Sequence, residues 1–430
     1  MGPSFEKFRR TTRSTLPLML SPYRVIDLTD ERGVLAGQML ADLGADVIQV
    51  EPPGGSTGRG VAPFFAERPD ESIFWSAYTR GKRGITCNLE DERGRNLLLR
   101  LLETADFLIE SSDVGRMAEL GLDYGTLQEL FPRLIYTSIS AFGQTGPKAH
   151  YVGSDLAIWA AGTPLLMTGD DDRPPVRVSQ PQSWGHASGD AAGGAMLALH
   201  ARQRTGRGQH VDVSAQVSAA QATLAQILAY SVGSPDPERY GGGLKLRGVG
   251  LRGTADVSDG HIVMTLAPGP AIGHFANHAV KWLVDIGAVD ESVGDEDFVT
   301  YADRAAVGQA DPELFPRVQQ IMREQVASRT KQEMLDISIE YDLLLVPVLD
   351  IVDLGQSRQL DSREFWREIG HGDGRVVTYP GPPLKVYLDG QAIDGRMSPP
   401  PGLGQDNEAV YGELDLSAVE LASLEEAGVI

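Results

Sequence analysis

Apolar residues along this chain fall into short runs separated by stretches of helical spacing. Residues 25–28 form one such run, and Leu35, Met39, Leu40 and Leu43 recur at helical intervals behind Asp30, a residue suited to capping a helix start. Gly44 ends that stretch, 47–50 form a second run, and Pro52, Pro53 and Gly54 stop it. The reading is strand, helix, strand: one unit of a parallel sheet. A second unit follows, with an amphipathic helix over 94–103 feeding a strand at 107–109, and 134–139 give a further strand. Residues 188–204 are rich in Ala and Leu and predict a long helix, with Ser188 as its cap, Asp190 near its positive end and Gly206 as its stop. HVDVSAQ resumes as a strand. The pattern predicts a doubly wound α/β fold without internal repeats, and the absence of a GxGxxG turn gives little support to a dinucleotide site.

The texture changes after about residue 230, where SVGSPDPERYGGGLKLRGVGLRG marks a boundary. Short strands such as HIVMTL then mix with helices, including an acidic stretch over 290–297. From TKQEMLDISIEYDLLLVPVLDI the alternation of helix and strand returns, which predicts re-entry into the first domain. PPLKVYLDG and SPPPGLG are late loops, and LSAVELASLEEAGVI has an apolar stripe that docks on the body. The predicted division is therefore 1–229, 230–330 and 331–430.

Of 430 residues, 42% are apolar and 23% charged, the balance of an ordinary globular chain. A net charge of −21 repels nucleic acid phosphates and anionic membranes, so neither is an expected partner. Cys87, the sole cysteine, excludes internal disulfides and thiolate zinc sites, fits a reducing compartment, and reads as a core residue. The opening MGPSFEKFRRTTRSTLPLML is basic and only briefly apolar, and position 6 is Glu, which argues against a signal segment, a membrane span and a myristoylation motif. A cytoplasmic protein is the expectation.

Several stretches carry a resemblance: MLADLGADVIQVEPPGG, GKRGITCNLEDERGR, LIYTSISAFGQTGP, SDLAIWAAG, HARQRTGRGQHVDVS and PPPGLGQDNEAVYGEL. Taken in order over most of the chain, they are similar to the family III CoA-transferases, which include the related α-methylacyl-CoA racemases. The resemblance implies a large Rossmann-like domain built from both ends of the chain and a small α+β middle domain. It also implies an interlocked dimer in which each active site lies between one subunit's large domain and the other's small domain. The substrates it implies are an acyl-CoA, a coenzyme A thioester that is not permanently bound, and a carboxylic acid.

The family's transfer reaction uses an Asp nucleophile that passes through an acyl anhydride and an enzyme-bound CoA thioester. Counting back from TGRGQ, that Asp falls on Trp184, with Ser183 and Gly185 on either side. Indole carbon forms no anhydride, so the ordinary mechanism is excluded at this position. The implied assignment is the non-nucleophilic subunit of a benzylsuccinate-type heteromer, paired with a homologous subunit that carries the Asp. Trp184 also reads as a core residue filling a vacated pocket.

Other acids and bases are candidates for a replacement role: Asp155 in VGSDLAIW, Asp190 and His186. Asp155 matches an acid that the racemases use for proton transfer, which keeps open a homodimeric acyl-CoA racemase or isomerase. A non-catalytic acyl-CoA-binding or regulatory protein is a third reading. In the CoA-binding motifs, Asp30, Glu31 and Arg32 crowd Gly33, Glu90 stands where the family has a Lys, and Glu119 stands where it has a basic residue. A like-charge contact near a surface costs on the order of 4 kcal/mol before screening. Arg59, Lys82, Arg83 and Arg116 are the candidates to compensate. Gly241, Gly242 and Gly243 match a glycine-rich loop that swings over the partner's reacting carboxylate, and no residue set points to a metal.

Overall fold

The computed structural model describes residues 18–233, 239–246, 249–393 and 397–430. The readings made for residues 1–17 and 234–238 lie outside them. The described chain divides into two compact units, the first running to Leu165 and including Arg177–Val232 and Gln359–Ile430, the second formed by Leu166–Val176 and Gly233–Arg358.

The first unit is built on a six-stranded sheet in the order Arg83–Thr86, Asp46–Glu51, Arg24–Asp27, Phe107–Glu110, Ile135–Ser140, His210–Ser214. Every ladder in it is parallel, with Val25 opposite both Val47 and Phe107. In chain order this is 3-2-1-4-5-6, the Rossmann arrangement. Alternate strand residues serve two cores because helices cover both faces. Val25, Val47, Phe107, Ile135 and Ile139 pack with Leu40 and the alanines of the helix Ser183–Thr205. Ile26, Ile48, Ile85 and Leu108 pack with Leu98 and Leu101 of the helix Glu92–Leu102, and with Tyr411, Val429 and Ile430. The C-terminal segment is fixed there by hydrogen bonds as well. Tyr411 donates to the carbonyl of Thr86 at 2.7 Å, and the Thr86 N–H donates to Asn407 Oδ1 at 2.9 Å.

One polar group lies deep in this apolar body. The Lys82 side chain is fully buried and its ammonium is 2.8 Å from Asp27 Oδ2, 2.8 Å from the Val34 carbonyl and 2.9 Å from Gln49 Oε1. Burial pushes this ammonium below its usual value, with Asp27 opposing. Gly37 makes room for the pair, since a Cβ there would lie 1.9 Å from Asp27 Oδ2.

The second unit carries an antiparallel sheet in the order Thr254–Val257, Gly260–Met264, Leu345–Val348, backed by the helices Gly273–Asp285, Leu314–Ala327 and Lys331–Tyr341. Its core gathers Ile262, Met264, Trp282, Phe298, Tyr301 and Phe315. Residues 331–358 correct the sequence reading, which returned them to the first domain. Leu345 pairs antiparallel with Met264 and Val348 with His261, and alternation of helix with strand looks the same whether the strand joins a parallel or an antiparallel sheet. Leu166–Val176, assigned by sequence to the first domain, also belongs here. Arg239 holds it by donating to the carbonyls of Leu166, Asp170 and Arg173.

Two measurements check this packing. Lys82→Ala leaves Asp27 buried without its counter-charge and is expected to lower unfolding free energy by about 3–5 kcal/mol in urea titration, with partial recovery in Asp27→Leu/Lys82→Met. Cys87 is buried and its thiol is pushed up to about 12 by burial, so alkylation at mildly alkaline pH should be slow in the folded protein and fast in denaturant.

Candidate functional site

The first strand has the second strand on one side and the fourth on the other, so the connections leaving it diverge and open a crevice beyond the strand ends. Loops after Asp27 and after Glu110 face each other across this crevice. The Asp30 N–H donates to Ser111 Oγ at 3.1 Å, and Ser111 Oγ donates to Asp30 Oδ1 at 2.9 Å. Arg32 then bridges the gap, with ion pairs of 2.7 Å to both Asp30 and Asp113. Gly33 starts the following helix where a Cβ would lie 2.8 Å from Thr29 Cγ2 and 3.0 Å from Ile139 Cδ1, so close packing requires the glycine.

Trp184 reaches the same region from the helix Ser183–Thr205. It is half-buried against the core and borders a cavity of about 110 Å³ with Arg32, Asp113, Ser140, His150 and Tyr151. The helix begins at Ser183, not Ser188, and Gln182 offers it no side-chain cap. The cap comes from a distant residue. Asp155 Oδ1 accepts from the backbone N–H groups of Gln182 and Ser183 and from Ser183 Oγ, each at 2.8 Å, and Oδ2 accepts from Arg177 at 3.2 Å. A carboxylate so engaged is a structural anchor of the helix start. Gly206 does stop the helix, in the left-handed conformation at φ 71°.

The other candidate acids and bases separate. Asp190 stands two turns into the helix, not at its start, and accepts from Gln221 Nε2 at 3.0 Å on the exposed side. His186 is exposed, its ring 6.1 Å from that of Trp159.

Two of the basic candidates, Lys82 and Arg83, need correction. Lys82 is sealed in the ion pair with Asp27 and is closed to any phosphate. Arg83 joins Arg24, Asp46 and Glu413 in a network at the first residues of three strands, the sheet edge opposite the crevice. Arg116 is paired with both Glu90 and Glu119, so the two acids that replace basic residues also neutralise the nearest base. Arg59 pairs through Nε and Nη2 with the buried Glu51, at 2.6 and 2.7 Å, and borders a different cavity. In the second unit Gly242 adopts φ 65°, a Cβ on Gly241 would lie 1.9 Å from Asp170 Oδ1, and Gly243 opens the strand Gly243–Leu246.

Sequence reasoning missed a further cavity of about 320 Å³ beside the crevice, bordered by Glu110, Ser138, Tyr124 and His210. Ser138 Oγ lies 2.9 Å from His210 Nε2, and Tyr124 stacks on that imidazole at 5.0 Å. Burial pushes the Glu110 carboxyl up, opposed by hydrogen bonds from Ser138 and Ser112, and burial pushes the His210 imidazole down. Only alignment of three adjacent strands brings these residues together, so no local motif announces them. Among the described residues no group of His, Cys, Asp and Glu is placed to hold a metal ion, and no helix is long and apolar enough to cross a membrane.

A family model described as CoA-transferase family III matches residues 20–407. Subunit BbsE of the succinyl-CoA:(R)-benzylsuccinate CoA-transferase of Thauera aromatica is 33% identical over 414 residues, covering 95% of this chain and 98% of BbsE. The acetyl-CoA:oxalate CoA-transferase of Acetobacter aceti is 32% identical over 370 residues, covering 84% of this chain and 87% of that enzyme. A CAIB/BAIF family protein from Brucella suis has a crystal structure that superposes with a TM-score of 0.76 at 27% identity, covering 93% of this chain and 100% of that one. A match of this extent, on a parallel sheet of Rossmann order, leads to one conclusion: the chain belongs to CoA-transferase family III.

Proposed function

We propose that this chain is the non-nucleophilic subunit of a heteromeric CoA-transferase, and that a homologous partner carries the reacting Asp. The observation that carries this reading is the side chain at the start of the helix Ser183–Thr205, where the crevice meets an indole. The carboxylates around it have other work. Asp155 holds the helix start, and Asp113 is paired with Arg32. Such a subunit would lend its second unit, with the turn at Gly241–Gly242 and Gly243 after it, to the partner's reaction. The relative BbsE carries succinyl-CoA and (R)-benzylsuccinate in its name, so succinyl-CoA as donor and a hydrophobic carboxylic acid as acceptor are the substrates we assign.

An interlocked assembly accounts for apolar surface that a lone chain leaves in water. Leu224, Leu228 and Tyr230 on the helix Leu224–Ser231 are 58%, 61% and 87% exposed. In the second unit Val346, Ile351 and Val352 are 58%, 89% and 66% exposed. Exposed apolar side chains in this number are what an association surface would cover.

Two experiments test the assignment. The complex purified with its partner is treated with succinyl-CoA and digested for mass spectrometry. The acyl or CoA adduct is expected on an Asp of the partner and on no residue of this chain, while the chain alone shows no thioester exchange. An adduct on this chain, or exchange by it alone at enzymatic rates, overturns the reading. The racemase alternative requires a free Asp155. Asp155→Ala is instead expected to lower stability by about 2 kcal/mol in urea titration, through loss of hydrogen bonds to a charged group. Neither it nor the parent chain should exchange the α-hydrogen of an acyl-CoA with deuterium.

A further inference from the structure

We propose that the cavity of about 730 Å³ beside Arg59 is a second ligand site, for a small monocarboxylate with a flat apolar body. It shares no bordering residue with the cavity at Trp184, so it does not depend on the transferase reading. Sites for small organic molecules occupy roughly 300–1,000 Å³, and their walls are mostly apolar with a few fixed polar groups. This one falls in that size range, with two apolar faces set among charged side chains. One wall is Trp75, 3% exposed, and another is the run Pro399, Pro400 and Pro401, whose ring-locked backbone is rigid.

Two of its polar groups, Arg59 and Ser76, keep a donor with no acceptor among the described residues. Arg59 spends Nε and Nη2 on Glu51, and Nη2 also reaches the Pro401 carbonyl at 3.2 Å, while Nη1 has no protein partner among the described residues. Its guanidinium carbon is held 5.3 Å above the Trp75 ring, so the free edge is fixed in place. Ser76, next along the same helix, is 2% exposed, and its hydroxyl makes no hydrogen bond among the described residues. A guanidinium donates only, and a carboxylate accepts only. An acceptor head group suits both Arg59 and Ser76, and a carboxylate is the acceptor that also matches the guanidinium's charge, with its apolar body against Trp75 and the prolines.

The rest of the wall limits the ligand's charge. Arg68 and Arg375 are each paired with both Glu71 and Asp373, a closed ring of two cations and two anions between the hairpins Phe64–Ser72 and Trp366–Pro380. With Asp70 also on the rim and Glu51 behind Arg59, the surroundings carry no excess of positive charge. A single carboxylate is accommodated through directed hydrogen bonds, whereas the several phosphate charges of coenzyme A are repelled.

Calorimetric titration of the full-length chain with benzoate, benzamide and free coenzyme A tests the site. One equivalent of benzoate is expected to bind, benzamide at least tenfold more weakly, and coenzyme A should not displace benzoate. Ser76→Ala should weaken benzoate roughly tenfold, the effect of losing one hydrogen bond to a charged group. Gly402→Phe should abolish binding by filling the cavity. Its Cβ would meet Gln405 at 3.4 Å, ordinary contact, and thermal melts verify folding of both variants. The proposal is overturned by the absence of saturable benzoate binding at millimolar concentration, by equal affinity for benzamide, by unchanged binding in the two variants, or by displacement with coenzyme A.

Discussion

The ion pair between Asp27 and Lys82 sets the terms for the first unit. Two charges withdrawn from water persist only where geometry and hydrogen bonding compensate their lost hydration. Here that compensation ties four pieces of chain together: the end of the first strand, the Val34 carbonyl, Gln49 on the second strand, and the residue before Arg83–Thr86. Gln49 in turn donates to the carbonyls of Asp27 and Thr29, at 3.2 and 2.8 Å. The loop leaving the first strand therefore has little freedom. Since that loop carries Asp30, Arg32 and Gly33, the buried pair determines where the crevice opens and which groups face it.

Charge around the crevice follows a related rule. Arg32 is held by Asp30 and Asp113, Arg59 by Glu51, and Arg116 by Glu90 and Glu119. Each base is answered by at least one acid, in a chain whose net charge is −21. A ligand with several phosphates would have to break such pairs or bring its charge into a field of the same sign. The paired bases are in keeping with the proposal that a companion subunit takes part in the reaction.

Strand and helix positions were legible wherever apolar periodicity was strong, because both faces of the sheet are covered and the central strands read as continuous apolar runs. The doubly wound class followed from that pattern. The start of the long helix did not, for two physical reasons. Gly185 and Gly189 weaken the helical signal, and the cap is a carboxylate 28 residues away from Ser183. The roles of Lys82, Arg83 and Arg116 were hidden for a similar reason, since a basic residue in a sequence does not reveal its partner. Lys82 and Asp27 are 55 residues apart, and Arg83 and Glu413 are 330 apart. The cavity at Arg59 likewise joins distant segments, one near Ser76 and one near Pro401.

How the helix start is held also bears on why scaffold and chemistry can part company in this family. Asp155 grips the backbone of Gln182 and Ser183 and the hydroxyl of Ser183, and none of its bonds involves the side chain at 184. An aspartate and a tryptophan at that position would be presented by the same backbone at the same crevice. The residue facing the crevice can therefore change while the helix, its cap and the sheet beneath it stay as they are. Likeness of fold to other family members is then evidence about the scaffold, and the reaction performed depends on which atom the helix start presents. With an indole there, the proposed role is for the scaffold to position chemistry that a partner's side chain supplies.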